Sequence, residues 1–124
     1  SIGADIIHMH PDMDGKITGE ATFLDFKKLC TVVSELGHGG VWMNVGSAVL
    51  MPEVFIKALN VARNLGADCF DMVTVNMDML QHYRPRENVV KRPTEPSGKG
   101  YSITGHHEIM IPLLARAILE RLEP

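Results

Sequence analysis

Apolar and polar positions along this 124-residue chain follow two rhythms, each interrupted by glycine or proline. Ala4 to His8 is a short apolar run ending in polar residues, the pattern of a buried strand. Pro11 to Gly19 (PDMDGKITG) holds turn-forming residues throughout. From Glu20 to Leu36, apolar residues recur at three- and four-residue steps (Leu24, Phe26, Leu29, Val32, Val33, Leu36). Asp25, Lys27, Lys28 and Glu35 fill the polar positions, which predicts an amphipathic helix with Gly37 as a left-handed stop. A second strand over Gly40–Val45 breaks at Gly46-Ser47. A second helix follows from Pro52 to Leu65, with proline in its first turn, Glu53 at its positive end and Gly66 after it. Val54, Phe55, Ala58, Leu59 and Ala62 form its apolar face. Asp68–Val75 reads as a third strand. Between Asn76 and Thr104 the periodicity vanishes among prolines and glycines, and this stretch is expected to be a loop. His107–Leu122 closes the chain as a helix, with Pro112 marking a kink or a later start.

The order β-α-β-α-β-loop-α predicts an α/β fold, a three-layer Rossmann-like parallel sheet with helices on both faces. Residues 1–124 suit one domain with one core. Three strands are few for an open sheet, so the expectation is a partial domain, the C-terminal half of a longer chain. Neighbouring strands would come from the rest of that chain or from a second subunit. Apolar residues are 45% and charged residues 22%, a globular mix. The net charge of -3 offers no basic stripe for phosphates, which argues against nucleic acid. No apolar run reaches the ~18 residues of a membrane span. The first residues read as a strand rather than as a signal peptide. Cys30 and Cys69 sit singly inside apolar elements and read as buried reduced thiols, which points to a soluble cytoplasmic protein.

Four places carry chemistry. His8-Met9-His10-Pro11-Asp12-Met13-Asp14-Gly15 groups two imidazoles and two carboxylates as a metal site would. A calcium loop is a poor match, because His10 and Ala21 stand where it needs acids, and the solvated turn is the favoured reading. Asn44-Val45-Gly46-Ser47-Ala48 runs from a strand through small residues into a helix, where backbone amides can meet an anion, although no full GxGxxG is present. After the third strand comes a polar run: Asn76, Asp78, Gln81, His82, Tyr83, Arg84, Arg86, Glu87, Lys91. His106-His107-Glu108 opens the last helix, as a cap or a ligand contact. In open α/β sheets ligands lie beyond the carboxyl ends of the strands, so these segments are expected to converge on one crevice.

Several of these segments resemble the deoxyhypusine synthase family, in order along the whole chain. Ser1-Ile2-Gly3-Ala4-Asp5 is similar to its SIGD, Gly46-Ser47-Ala48-Val49 to its GGGVV, and Arg63-Asn64-Leu65-Gly66-Ala67-Asp68 to its RNGAD. Arg84-Pro85-Arg86-Glu87 resembles RPDE, and Ile111-Pro112-Leu113-Leu114 resembles FPLL. The resemblance implies an NAD-binding Rossmann-like fold, a homo-oligomer (a tetramer) and aminobutyl transfer from a polyamine through a lysine imine. The substrate would be a small amine or a protein lysine. By position it makes Asp5 and Glu87 polyamine-facing acids, with Asp78 and Glu53 as further candidates, and sets Gly46, Ser47, Asn76 and His106 against NAD. The family's lysine falls on Pro93, which leaves Lys91 as the candidate catalytic lysine. The family's KHH is replaced by Met51-Pro52-Glu53. Alternatives are a nucleotide-binding or assembly module without catalysis and, more distantly, a metal-dependent hydrolase using His8, His10 and Asp12.

Overall fold

The computed structural model describes residues 5–122, with side chains from residue 7 onward. The strand expected over Ala4–His8 is absent there: Asp5–Met9 is a 3-10 helix, and Ala4 lies outside the described residues. A strand needs a neighbour for its backbone groups. Here the chain turns on itself instead, the His10 amide donating to the Ile7 carbonyl at 3.1 Å just before Pro11.

The first long helix, α1, spans Gly15–Ser34 and starts five residues before the position expected from periodicity. Its cap explains this. Asp14 Oδ1 accepts the Lys16 and Ile17 amides, both at 2.9 Å, satisfying two of the helix's orphan donors. Gly37 beyond it is needed for space rather than for a left-handed turn, because a Cβ there would meet the Asp68 carbonyl oxygen. The left-handed residues of this turn are His38 and Gly39.

Strand β1 (Val41–Val45) leads into α2 (Leu50–Asn64), which ends at Gly66 with φ +93°, as expected of a glycine stop. Strand β2 is Val73–Met77, later than the Asp68 start expected. The residues before it are used in holding the turn after α1, since the Asp71 carboxylate accepts the His38 amide at 2.7 Å. The stretch expected to be a loop is ordered. Tyr83–Pro85 (α3), a π-helical stretch Arg86–Lys91 and a 3-10 turn Arg92–Thr94 form one helical segment, and Lys99–Ile103 is strand β3. The last helix, α4, is His107–Leu122 with Pro112 inside it.

The sheet is parallel in the order β1-β2-β3, from Val41↔Val73↔Lys99 to Val45↔Met77↔Ile103. On one face, Trp42 and Asn44 of β1 and Thr74 and Asn76 of β2 lie against helices. Trp42 stacks on Phe55 of α2, ring centroids 4.2 Å apart and 6° from parallel. Phe55, Ala58, Leu59, Val33, Met72 and Val89 complete the core. Complete burial of Phe55 or Leu59 contributes roughly 1.5–3 kcal/mol each. β3 joins closely because Gly100 has no side chain: a Cβ there would strike the Val90 carbonyl.

The chain is therefore α/β, with a three-stranded parallel sheet flanked by helices. The opposite face is less covered than a three-layer arrangement requires. Val41, Met43, Val45 and Tyr101 are exposed on it, and α4 has no buried residue. No helix among the described residues is long and apolar enough to cross a membrane.

Candidate ligand site at the carboxyl edge of the sheet

The carboxyl ends of the three strands are tied together by side-chain amides. Asn44 and Asn76 are register partners on neighbouring strands, and both are buried. Asn44 Nδ2 donates to Asn76 Oδ1 and to the Ser47 carbonyl, each at 2.8 Å. Asn76 Nδ2 donates to Gln81 Oε1 at 2.8 Å. Gln81 Nε2 in turn donates to the carbonyls of Asp78 and Ile103, both at 3.1 Å, with Thr104 Oγ1 at 3.3 Å. A buried amide without partners costs more than its hydrogen bonds contribute, so the relay fixes the positions of the strand ends.

Beside this relay the chain leaves β1 through Gly46, at φ +76°, and the Gly46 amide donates to the Met77 carbonyl at 3.1 Å. A side chain is excluded there for two reasons. The conformation is left-handed, and a Cβ would lie 3.0 Å from Cε1 of His107. His107 Nε2 is 3.2 Å from the Met77 carbonyl oxygen and 3.9 Å from Asp78 Oδ1. Asp78 is held in turn: its backbone amide donates to the Ile103 carbonyl at 3.2 Å, and its Oδ1 accepts the Met79 amide at 2.7 Å. Gly46, Ser47, Asn76 and Asp78 thus share one edge, as the sequence expected. The imidazole touching it belongs to His107. His106 is exposed, and its carbonyl accepts the Ile109 and Met110 amides that open α4.

Three other expected residues make up a second set, in two separate clusters. Glu53 Oε1 accepts from Asn88 Nδ2 at 2.8 Å and faces Arg84 Nε at 3.3 Å. Asn88 Oδ1 accepts from Arg92 at 2.9 Å. Glu87 lies 3.8 Å from Lys91 Nζ, and the Lys91 side chain is 62% exposed. No hydrogen bond or ion pair among the described residues joins this group to the strand-end relay. The Asp5 side chain lies outside the described residues.

The histidine-rich turn is used structurally. Asp14 caps α1, the Asp12 amide donates to His10 Nδ1 at 3.2 Å, and both His10 and Asp12 are exposed. No cluster of three metal-ligating side chains occurs among the described residues. Of the two thiols, Cys69 is buried as expected, while Cys30 is only partly so, and burial pushes the Cys30 thiol up from its ordinary value. Two open apolar grooves lie away from the strand ends. One is lined by Ile7, Met9, Pro11, Met13 and Ile17; the other, between α1 and α2, by Phe23, Phe26, Cys30, Val61 and Leu65.

An anionic group at the sheet edge would meet the Gly46–Leu50 turn at the start of α2. Ser47 Oγ already accepts the Met51 amide at 3.2 Å, and Pro52 carries no N–H. Glu53, whose charge would oppose an anion, is engaged by Arg84 and Asn88. At this turn the Gly46 and Met51 amides are therefore already engaged, and the side chains presented at the edge are those of Asp78 and His107. Comparisons with protein-family models, curated proteins and solved structures find no match to this chain.

Proposed function

We propose that this chain is a nucleotide-binding module whose ligand lies across the carboxyl edge of the sheet. NAD is the ligand that the resemblance to deoxyhypusine synthase suggests. The observation that carries the reading is the meeting of Gly46, the Asn44–Asn76–Gln81 relay, Asp78 and His107 at the ends of parallel strands. The glycine carries the chain from β1 toward α2 with the His107 ring packed directly over it. The relay keeps that backbone in place without reorganisation when the ligand arrives. Asp78 and His107 together offer an acceptor and a titratable group to a ribose or an amide.

Titration calorimetry with NAD tests this. Wild-type chain is expected to bind, and Gly46→Val to lose at least tenfold in affinity, because its side chain enters the space of the His107 ring. Absence of heat with the wild type at millimolar NAD refutes the reading.

A second reading keeps the family's reaction, NAD-dependent transfer from a polyamine through an imine on Lys91. Glu87 beside Lys91, and Asp78 at the sheet edge, favour it, since a polycation needs carboxylates. Against it, an imine-forming lysine needs a desolvated site without a counter-ion, whereas Lys91 is largely exposed and faces Glu87. Borohydride treatment with spermidine and NAD, followed by peptide mass analysis, separates the two. The module reading expects Lys91 unmodified, and a reduced adduct on Lys91 would establish the transferase.

A further inference from the structure

We infer that α4 is a strap, hinged at residues 104–106, that closes over the open face of this chain's own sheet. The inference stands apart from the nucleotide reading, because it concerns the face of the sheet rather than its edge. Two apolar surfaces lie uncovered among the described residues. One is the sheet face away from α1 and α2. Val41, Met43 and Val45 of β1 and Tyr101 of β3 are exposed there, and by register Val73 and Val75 of β2 lie between them, half-buried. The other is α4, which has no buried residue, and among the described residues no other helix or strand packs along it. Bringing the two surfaces together removes both from water.

The phase of α4 points its apolar stripe at that face. At about 100° per residue, Met110, Ile111, Leu114, Ile118 and Leu122 fall on the same side of the helix as His107. Arg116 and Glu120, paired with each other at 2.8 Å, lie on the far side. His107 already touches the sheet, its ring over Gly46 and its Nε2 3.2 Å from the Met77 carbonyl oxygen. The stripe therefore continues from the point where α4 meets the strand ends. Within α4 only His107, Met110 and Leu114 are half-buried rather than exposed, which sets the inward side of the helix on this stripe. Only residues 104–106 join β3 to α4. Gly105 among them leaves room for Met110, because a Cβ there would lie 2.7 Å from Met110 Cγ. Turning about this link with His107 as pivot, α4 runs back along the face antiparallel to β3. The dimensions agree: the 16 residues of α4 span about 24 Å, and the five of each strand about 17 Å. A helix about 10 Å across matches three strands spaced about 4.8 Å apart.

Disulfide trapping within one chain tests the closure, since the bond forms only where two Cβ atoms come within reach. All variants are made in a Cys30→Ser background. Met43→Cys with Leu114→Cys is expected to oxidise within a single chain roughly tenfold faster than Met43→Cys with Arg116→Cys on the far side of α4. Adding Ile111→Asp and Ile118→Asp, both at exposed positions, is expected to slow the first pair by roughly fivefold with an unchanged far-ultraviolet spectrum, because closure would bury the added charge. Equal rates for the two pairs, a disulfide formed only between chains, or a rate that Ile111→Asp and Ile118→Asp leave unchanged would each overturn the inference. No ligand is added, so these outcomes are separate from whether the chain binds NAD.

Discussion

Asn76 is fully buried in a sheet whose other inward residues pack on helices, and it both accepts from Asn44 and donates to Gln81. Replacing it with alanine removes one partner of the buried Asn44 amide and the partner of the part-buried Gln81 carbonyl. Asn76→Ala is expected to lower stability by about 1–3 kcal/mol, read as a reduced urea midpoint with an unchanged slope. An equal midpoint would mean that the relay contributes nothing. Asn76 was legible as a polar residue ending an apolar strand. Asn44 was legible as the start of a strand-end segment, but its pairing with Asn76 was not, because only strand register sets the two side by side. The histidine pair illustrates the same limit. Which imidazole of His106-His107 faces Gly46 depends on the phase of α4, and one residue of error at a helix start exchanges them.

Among the elements, the long helices were legible because their stripes are strong; α1 was misplaced at its start, where Asp14 overrides the periodicity, and its left-handed stop falls on His38 and Gly39 rather than Gly37. The losses are physical too. Asp5–Met9 has a strand-like composition but no partner strand. β3, KGYSI, has no apolar run. It belongs to the sheet because Gly100 fits over the Val90 carbonyl, a close approach that local pattern does not encode. Pro85 and Pro93 read as breakers of a loop. In the structure they flank a π-helical stretch and are themselves buried against the core. A stretch of nearly thirty residues without structure is unusual in a compact domain, and the loop expected here gives way to helical turns and a strand.

For the whole molecule, β-α alternation was enough to fix a parallel sheet with helices against it. It did not reveal that Val41, Met43, Val45 and Tyr101 would be exposed on one face. The two grooves away from the strand ends provide a contrast for the proposed site, because a ligand chosen for apolar surface would go there instead. Amide chemical-shift mapping of the labelled chain during titration with NAD distinguishes the two. The account predicts saturable shifts concentrated at Gly46, Ser47, Asp78, Met79 and His107. Shifts confined to the α1–α2 groove or to residues 7–18, with the strand ends unmoved, would contradict it.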